Sequence, residues 1–325
     1  MRVLVTGGAG YLGALATARL LREGHTVRVL DNLQYGGSSL LAVASESAFE
    51  FCKGDVRDSS TVEKSLAGTQ AVVHLAAIVG DPACARNPAL AREVNLDASL
   101  QLLALAKNAG VERFIFASTC SNYGRRNEAA GFAREEDELK PISLYAESKV
   151  AVETELLRTQ SNGFAPTVLR FATLYGVSPR MRFDLTVNQF TMEMLTRGKI
   201  SVYGEKFWRP YVHAYDAARA IATVLATASA KVANRVFNVG DTAENYTKRD
   251  LVELIRVEVP GCTVEYVQKD EDPRDYRVSF DRIRSELAFE VSRRVHDGIH
   301  EVATAIRGGL IENVESPVHY NTPNE

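Results

Sequence analysis

A tyrosine and a lysine lie four positions apart, at Tyr145 and Lys149. In a helix this spacing puts both side chains on one face, one turn apart. An ammonium group near a phenol stabilises the phenolate and lowers the pKa of the tyrosine from its reference value of about 10, which suits a general base for a hydroxyl group. Because such pairs also occur by chance on helix surfaces, the prediction depends on what surrounds them.

A hydroxyl-rich segment follows the predicted strand Phe114–Ala117. Doubly wound sheets bind their ligands at the carboxyl ends of strands. Thr119 is therefore predicted to hold a reacting oxygen or to relay its proton, and Cys120 and Ser121 are expected beside the same substrate.

A glycine-rich turn joins the first predicted strand to an apolar helix. Gly7, Gly10 and Gly13 are spaced so that backbone N–H groups and the helix dipole can meet a pyrophosphate without interference from Cβ atoms. Tyr11 and Leu12 lie inside this turn. The pattern alone can be only a tight turn, but its place between strand and helix predicts a dinucleotide site.

An aspartate, Asp31, ends the second predicted strand, 18 positions after Gly13. A carboxylate there can accept both ribose hydroxyls of an adenosine and would repel a 2′-phosphate, so the pattern favours NAD over NADP. Asn32 follows it instead of an arginine. After the third strand, Asp55 and Val56 could contact the adenine edge, although an aspartate is also common in a turn.

Small apolar residues follow His74 at the end of the fourth predicted strand. Leu75, Ala76 and Ala77 would let a cofactor approach closely. Nothing in the sequence pairs His74 with a nucleophile or a metal ligand, so it is interpreted as a core histidine.

Short apolar runs alternate with longer amphipathic stretches, which predicts an α/β fold with a doubly wound parallel sheet and a smaller C-terminal substrate lobe. The predicted strands of the first part are Arg2–Val5, Thr26–Leu30, Phe49–Lys53, Ala71–Leu75, Arg113–Ala117 and Thr167–Phe171. Residues 1–176 are assigned to a dinucleotide-binding Rossmann domain whose sheet is completed by segments near 208–242, and residues 177–325 mainly to the lobe. The polar tail after Glu312 is expected to be extended or frayed.

Composition excludes several classes of protein. The 325 residues are 46% hydrophobic and carry a formal net charge of -3, which gives no basic stripe for nucleic acid or a membrane surface. The four cysteines are scattered without metal-ligand spacing, so neither a metal site nor a disulfide framework is expected. No apolar run approaches the roughly 18 residues that span a bilayer, and the first strand leaves no room for a signal peptide. A cytoplasmic protein is expected.

Several motifs together resemble one family. They are the Thr6–Gly13 turn, Asp31-Asn32-Leu33, the His74–Ala77 strand end, Asn95, the segment ending in Tyr123-Gly124, the Tyr145/Lys149 pair, Arg209–His213 with Asp216, and Phe237–Gly240. Over nearly the whole chain the sequence resembles the extended short-chain dehydrogenase/reductases of the NAD-dependent epimerase/dehydratase family. The resemblance implies NAD as cofactor, Thr119 and Tyr145 as catalytic residues, and Lys149 as the residue that grips the nicotinamide ribose.

The resemblance also implies further contacts. Asn95 resembles a residue that supports the active-site helix, and it is counted among the expected cofactor-binding residues. Asn188 resembles an amide donor to a nucleotide diphosphate. Arg209 and Arg274 resemble arginines that hold this diphosphate, which suits the planar fork of donors on arginine. Arg180 could also reach an anionic sugar or phosphate.

Departures from the family narrow the predicted reaction. Its sugar 4,6-dehydratases have an Asp-Glu pair after the threonine, and its decarboxylases keep a glutamate at the second of these positions, where this chain has Cys120 and Ser121. Thr173 stands where relatives have asparagine, which affects the sugar contacts. His213 and Asp216 are interpreted as residues that lock a strand-to-helix corner.

These patterns predict an NAD-dependent epimerase that acts on a nucleotide-diphosphate sugar through a transient keto-sugar. The alternatives are a nucleotide-sugar reductase or dehydrogenase that releases its cofactor each cycle, and a non-enzymatic regulator that only binds dinucleotide. The family resemblance further implies a homodimer through a four-helix bundle formed near 97–109 and 145–159.

Overall fold

The computed structural model describes residues 1–126, 131–159, 163–268 and 275–321. Strands form where short runs rich in β-branched and aromatic residues stand between turn residues. In chain order, the strands of the described residues are β1 (Arg2–Thr6), β2 (Thr26–Asp31), β3 (Phe49–Lys53), β4 (Ala71–His74), β5 (Arg113–Thr119), β6 (Phe132–Ala133), β7 (Ala165–Phe171), β8 (Thr173–Tyr175), β9 (Lys199–Tyr203), β10 (Trp208–His213), β11 (Arg235–Val239), β12 (Asn245–Thr247), β13 (Thr263–Val267) and β14 (Arg277–Val278).

Helices occupy the amphipathic stretches between these strands. In chain order they are α1 (Tyr11–Arg22), α2 (Ser59–Leu66), α3 (Asp81–Arg86), α4 (Pro88–Arg92), α5 (Ala98–Asn108), α6 (Leu144–Arg158), α7 (Thr186–Arg197), α8 (Ala214–Ala226), α9 (Ser229–Val232), α10 (Lys248–Glu258), α11 (Asp281–Leu287) and α12 (Val295–Arg307). A π-helical turn, Glu93–Asp97, lies between α4 and α5.

The central sheet confirms the predicted doubly wound fold. Its seven strands run in the order β3-β2-β1-β4-β5-β7-β11, and every neighbouring pair is parallel. The chain order reverses between β1 and β4. Connections leave toward opposite faces at that point, so a crevice opens at the carboxyl ends of these strands.

Two apolar layers cover the central sheet. Alternate residues of β1 point to opposite faces: Val3 and Val5 pack with Leu20 of α1, whereas Leu4 packs with Leu102 of α5. This two-sided burial explains why the central strands lack a polar face.

The second half of the chain builds a separate apolar cluster around α7, α10 and α12. Of the later segments expected to complete the large sheet, β11 joins it beside β7, whereas β10 pairs with β8 and β12 in a three-stranded sheet. The boundary assigned at residue 176 stays a prediction.

The expectation of a frayed tail after Glu312 is wrong for the residues up to 321. The segment Pro317–His319 forms a 3-10 turn, and the backbone N–H of Phe183 donates to the carbonyl oxygen of His319 at 2.9 Å. Tyr320 is buried against the Phe183 ring. These contacts come from residues far away in the chain, so local polarity gave no sign of them.

Within the described ranges, no helix is long and apolar enough to cross a membrane.

Candidate active site

A cavity of about 520 Å³ opens at the carboxyl ends of the central strands. Its wall contains the glycine-rich turn, the ends of β2, β4 and β5, the first turns of α6, and residues 171–186 from the second half of the chain. The cavity therefore lies at the crevice that the strand order creates.

The glycine-rich turn packs too tightly for side chains. Gly7 has φ +72°, and a Cβ on Gly13 would lie 2.1 Å from the carbonyl oxygen of Gly7. Helix α1 begins at Tyr11 with no side-chain cap and no acidic residue in its first turn. Its first N–H groups and positive dipole end are thus available to an anion in the cavity.

Asp31 lines the cavity at the end of β2. Its two carboxylate oxygens accept hydrogen bonds from the backbone N–H groups of Ala9 at 2.9 Å and Leu33 at 2.8 Å. These bonds fix the orientation of the carboxylate and leave further lone pairs for hydroxyl donors. Burial raises the pKa of Asp31, and the two backbone donors oppose that rise.

The end of β3 is also polar. Asn32 donates to Asp55 at 3.3 Å, and Arg57 binds the same carboxylate at 2.9 Å and Glu93 at 3.0 Å. The hydrogen bonds from Arg57 lower the pKa of Asp55 to about 2. Asn32, Asp55 and Val56 all line the cavity, where the sequence placed the adenosine end of a dinucleotide.

Thr119, Tyr145 and Lys149 line this same cavity. Thr119 ends β5, and its hydroxyl oxygen accepts from the N–H of Ser121 at 3.1 Å. Tyr145 and Lys149 lie one turn apart on α6, as predicted, and Ser143 caps that helix. The structure thus brings together the three residues that the sequence assigned to catalysis.

The expected lowering of the Tyr145 pKa is not found. Lys149 donates to the carbonyl oxygen of Ala117 at 2.8 Å, and its ammonium lies 5.9 Å from the centroid of the Tyr145 ring. Burial dominates both groups: it raises the pKa of Tyr145 and lowers the pKa of Lys149 to about 8. Desolvation of the charged form therefore outweighs the attraction expected from the four-residue spacing.

A buried ion pair holds β5 against α6. Glu153, two turns after Tyr145, accepts hydrogen bonds from Nε and Nη2 of Arg170 of β7, the shortest at 2.7 Å, and a further one from Ser118 of β5. Because Ser118 directly precedes Thr119 on β5, this network fixes the strand end relative to the helix that carries Tyr145.

Two predicted residues support the cavity wall from behind. The side chain of Asn95, assigned to the cofactor, is buried and bonds to both the N–H and the carbonyl oxygen of Ile78, at 2.8 and 2.9 Å. His74 is a core histidine, as interpreted, since its ring nitrogens contact the hydroxyls of Thr6 at 2.7 Å and Ser99 at 2.9 Å. The other predicted cofactor residues line the cavity: Gly7, Gly10, Tyr11, Leu12, Gly13, Asp31, Asn32, Asp55, Val56, Leu75, Ala76, Ala77 and Lys149.

The predicted substrate residues divide into two groups. Ser121, Thr173 and Arg180 line the same cavity as Thr119 and Tyr145. Cys120, Asn188 and Arg209 are not part of its described wall, and Arg274 lies outside the described residues.

The three residues outside the wall have partners inside the protein. The Cys120 thiol is buried and donates to the carbonyl oxygen of Arg170 at 3.2 Å. Asn188 is fully buried, accepts from the N–H of Gly176 at 2.9 Å and donates to the carbonyl oxygen of Arg182 at 3.0 Å. The guanidinium of Arg209 lies 5.5 Å from the centroid of the Tyr276 ring.

Other cavity residues were not assigned from the sequence. Tyr35, Asp81, Tyr276 and Asn321 all line the cavity. Tyr276 lies within hydrogen-bond distance of Ser121, 3.2 Å between the two hydroxyl oxygens. Asp81 begins α3, and the other three residues come from loops or the C-terminal segment. None of the four belongs to a recurring motif, so position in the fold is the signal that identifies them.

A doubly wound sheet with a glycine-rich turn, an acid at the end of β2, and a threonine, tyrosine and lysine in one cavity defines the short-chain dehydrogenase/reductase class. Comparison with known proteins identifies the family more closely. Residues 3–240 match the NAD-dependent epimerase/dehydratase family. The chain belongs to this family of nucleotide-sugar enzymes.

The relatives include enzymes of two activities. A dTDP-glucose 4,6-dehydratase from Streptomyces niveus is 32% identical, over 97% of this chain and 92% of that protein. The structure of a UDP-glucose 4-epimerase from Thermotoga maritima with UDP-glucose has 29% identity and a TM-score of 0.84, over 96% of this chain and 100% of that one. A dTDP-glucose 4,6-dehydratase from Streptomyces venezuelae, solved with NAD bound, has 28% identity and a TM-score of 0.85, over 98% and 100% of the two chains.

Proposed function

We propose that this protein is an NAD-dependent epimerase that acts on a nucleotide-diphosphate sugar through a transient keto-sugar. The observation that carries the proposal is that Thr119, Tyr145 and Lys149 share one cavity with the glycine-rich turn and Asp31. The names of the relatives support a nucleotide sugar as the substrate class.

The residues present fit an NAD molecule. A Cβ atom at Gly13 would overlap the carbonyl oxygen of Gly7, so the turn can adopt this conformation only with glycine there. The turn leaves the N-terminus of α1 open to a diphosphate. Asp31, held by two backbone donors, would accept the adenosine ribose hydroxyls. Lys149 would bind the nicotinamide ribose. When bound, NAD supplies the hydride acceptor and donor for the reaction.

The chain's own residues move one proton. The phenolate oxygen of Tyr145 takes the proton of a sugar hydroxyl, and the Thr119 hydroxyl orients that same oxygen by a hydrogen bond. Lys149, with its pKa lowered to about 8, still carries a positive charge at neutral pH, and in the proposed enzyme that charge opposes the rise in the Tyr145 pKa that burial causes. After the keto-sugar presents its other face, Tyr145 returns the proton.

The carboxylates of the cavity favour epimerisation over elimination of water. Among the described residues of the wall the only carboxylates are Asp31, Asp55, Asp81 and Asp184. Asp184 is bound by Arg182 at 2.5 Å, and Asp81 accepts from Ser143 at 2.7 Å. Cys120, directly after Thr119, has a buried thiol whose pKa lies well above its ordinary value, so it is a poor acid or base at neutral pH.

A substrate screen with Tyr145→Phe tests the proposal. The wild-type protein should retain NAD and convert a nucleotide-diphosphate sugar into its epimer with no net change in NADH absorbance. The Tyr145→Phe protein should bind NAD equally well and lose about a hundredfold to ten-thousandfold in turnover, because general base catalysis contributes 10²–10⁴ in rate. Stoichiometric oxidation of NADH with a keto-sugar would select the reductase instead, and tight NAD binding without turnover of any nucleotide sugar would select the regulator.

The proposed enzyme is a homodimer through a four-helix bundle. Helices α5 and α6 each expose a small apolar residue, Ala104 and Ala151, on faces that such a bundle would cover. Light scattering should give twice the chain mass, and Ala104→Glu with Ala151→Arg should give the mass of a single chain.

A further inference from the structure

The guanidinium of Arg180 is buried without an acidic partner. The residue is 6% exposed and lines the cavity. It donates to the side-chain oxygen of Asn321 at 2.7 Å and to the carbonyl oxygen of Tyr320 at 3.1 Å, both neutral acceptors. Its Nε is buried with no hydrogen-bond partner, and no carboxylate of the described chain forms an ion pair with it. Since arginine has five N–H donors, this arrangement leaves donors as well as charge uncompensated.

Arg180 is held next to the glycine-rich turn. Ser178, two residues earlier, donates to the carbonyl oxygen of Tyr11 at 2.6 Å. The Tyr35 ring, from the loop after β2, has its centroid 4.0 Å from the guanidinium carbon. Asn321 donates on to the carbonyl oxygen of Val79, from the loop after β4, at 3.5 Å. The guanidinium therefore lies among the loops that follow β1, β2 and β4, where α1 begins.

The immediate surroundings supply no negative charge that is left to match Arg180. The pKa of Arg180 is lowered to about 10, mainly by burial and to a smaller extent by the positive charge of Arg182. Arg182 itself forms two hydrogen bonds with Asp184, at 3.1 and 2.5 Å, so its charge is matched. A buried cation that has only neutral oxygens as partners costs folding free energy. An anion that binds beside it offsets this cost.

We propose that Arg180 is a second binding group for the diphosphate that lies on the glycine-rich turn, and that the C-terminal segment Pro317–Asn321 positions it through Asn321. Arg180 thus complements the N–H groups of α1 from the opposite side of the diphosphate. This inference rests on the proposed function, and it reassigns Arg180 from the sugar nucleotide to the dinucleotide.

Two diphosphates could enter this cavity, one from the dinucleotide and one from the sugar nucleotide. The dinucleotide is favoured because the Arg180 guanidinium lies over the ring of Tyr35, from the loop after β2, and because Ser178, two residues earlier, bonds to the carbonyl oxygen of Tyr11 at the start of α1. The test separates the two sources with NAD, ADP and adenosine on one side and UDP on the other.

Calorimetric titration of nucleotide-free protein with these four ligands tests the proposal. Arg180→Met should weaken NAD and ADP by roughly ten- to a hundredfold, the loss typical of a hydrogen bond to a charged group, and leave adenosine within about twofold. Arg180→Lys should fall between, because it keeps the charge and loses the fork. As a control, Arg256→Met removes one positive charge from an exposed position far from the cavity, and it should leave the affinities for NAD and ADP unchanged.

The role of Asn321 is tested by coupling. Asn321→Ala should weaken NAD and ADP about threefold to tenfold in the wild-type background and have no effect in the Arg180→Met background. Asn321→Asp has the same shape and gives Arg180 a carboxylate partner, so it should weaken both ligands more than the alanine variant does. Retained affinity in Asn321→Asp would overturn the role of Asn321.

The remaining outcomes also decide the question. Weaker UDP binding with unchanged NAD and ADP would assign Arg180 to the sugar nucleotide and overturn the dinucleotide assignment. If the wild-type protein bound neither NAD nor ADP, the proposed function would fail together with this inference. If the wild type bound both and Arg180→Met bound them equally, only the inference would fail.

Discussion

Replacing the buried Lys149 by methionine should stabilise the nucleotide-free protein while it removes activity. Lys149 is 3% exposed, and burial lowers its pKa from 10.5 to about 8. At 1.36 kcal/mol per pKa unit, the charged form costs roughly 3 kcal/mol in the folded state. The contacts with Ala117 and the Phe116 ring offset about 1 to 2 kcal/mol of this, which leaves a net gain of about 1 to 2 kcal/mol for Lys149→Met at neutral pH.

The pH dependence separates this cause from better packing. Below pH 8 both the folded and the unfolded chain hold the proton on Lys149, so the cost is present in full. Between pH 8 and 10.5 the unfolded chain binds more protons at this site, so wild-type stability rises with pH through that window. The advantage of Lys149→Met should therefore shrink by about 2 kcal/mol between roughly pH 7 and roughly pH 9.5.

Urea denaturation of both proteins at several pH values measures these differences. Exposed Lys64→Met on α2 makes the same exchange at the surface and should change stability by less than about 0.5 kcal/mol at either pH. A Lys149→Met protein that is less stable than wild type at neutral pH, or whose advantage does not change with pH, would refute the reasoning that burial holds down the Lys149 pKa.

Three further substitutions test the framework of the site. Glu153→Gln should cost about 3 to 5 kcal/mol in urea denaturation because it leaves a buried guanidinium without its carboxylate, whereas Glu253→Gln in an exposed pair should cost less than about 1 kcal/mol. Gly13→Ala should cost at least about 2 kcal/mol and abolish NAD binding, since its Cβ would overlap the carbonyl oxygen of Gly7, whereas the Cβ of Gly10→Ala would meet the same oxygen at 3.2 Å and should cost less folding free energy. Asp31→Ser should weaken NAD about tenfold and improve the binding of NADP relative to NAD, which thermal-shift titrations with the two cofactors would show.

Local patterns predicted the parts of the molecule that depend on neighbouring residues. The six strands predicted in the first part of the chain, which are β1 to β5 and β7, were located to within two residues at each end, because continuous apolar runs bounded by turn residues mark strands buried on both faces. The two-residue strand β6 was not predicted. The glycine-rich turn and Asp31 could also be predicted, because their positions follow from the end of one strand and the start of one helix.

Properties that depend on distant parts of the chain could not be predicted. The direction of the Tyr145 pKa shift depends on how deeply the whole wall buries the phenol, and a four-residue spacing contains no information about that. The three residues of β8 are too few for a period of two to show, and their partner β10 begins more than 30 positions later. Cys120 follows a cavity residue in sequence, yet the turn after β5 directs its thiol into the core.

Two of the buried cations in the cavity, Lys149 and Arg180, show that ligand binding and folding stability place opposite demands on this site. Lys149 and Arg180 both line the wall, and within the described ranges neither forms an ion pair with a carboxylate. Each has a pKa lowered by burial, so each costs folding free energy that an aliphatic side chain of similar size would not. A fold optimised for stability alone would not keep two such groups in one cavity. A ligand with negative charge near Arg180 and hydroxyl groups near Lys149 compensates both, and a dinucleotide has its diphosphate and its nicotinamide ribose in that order.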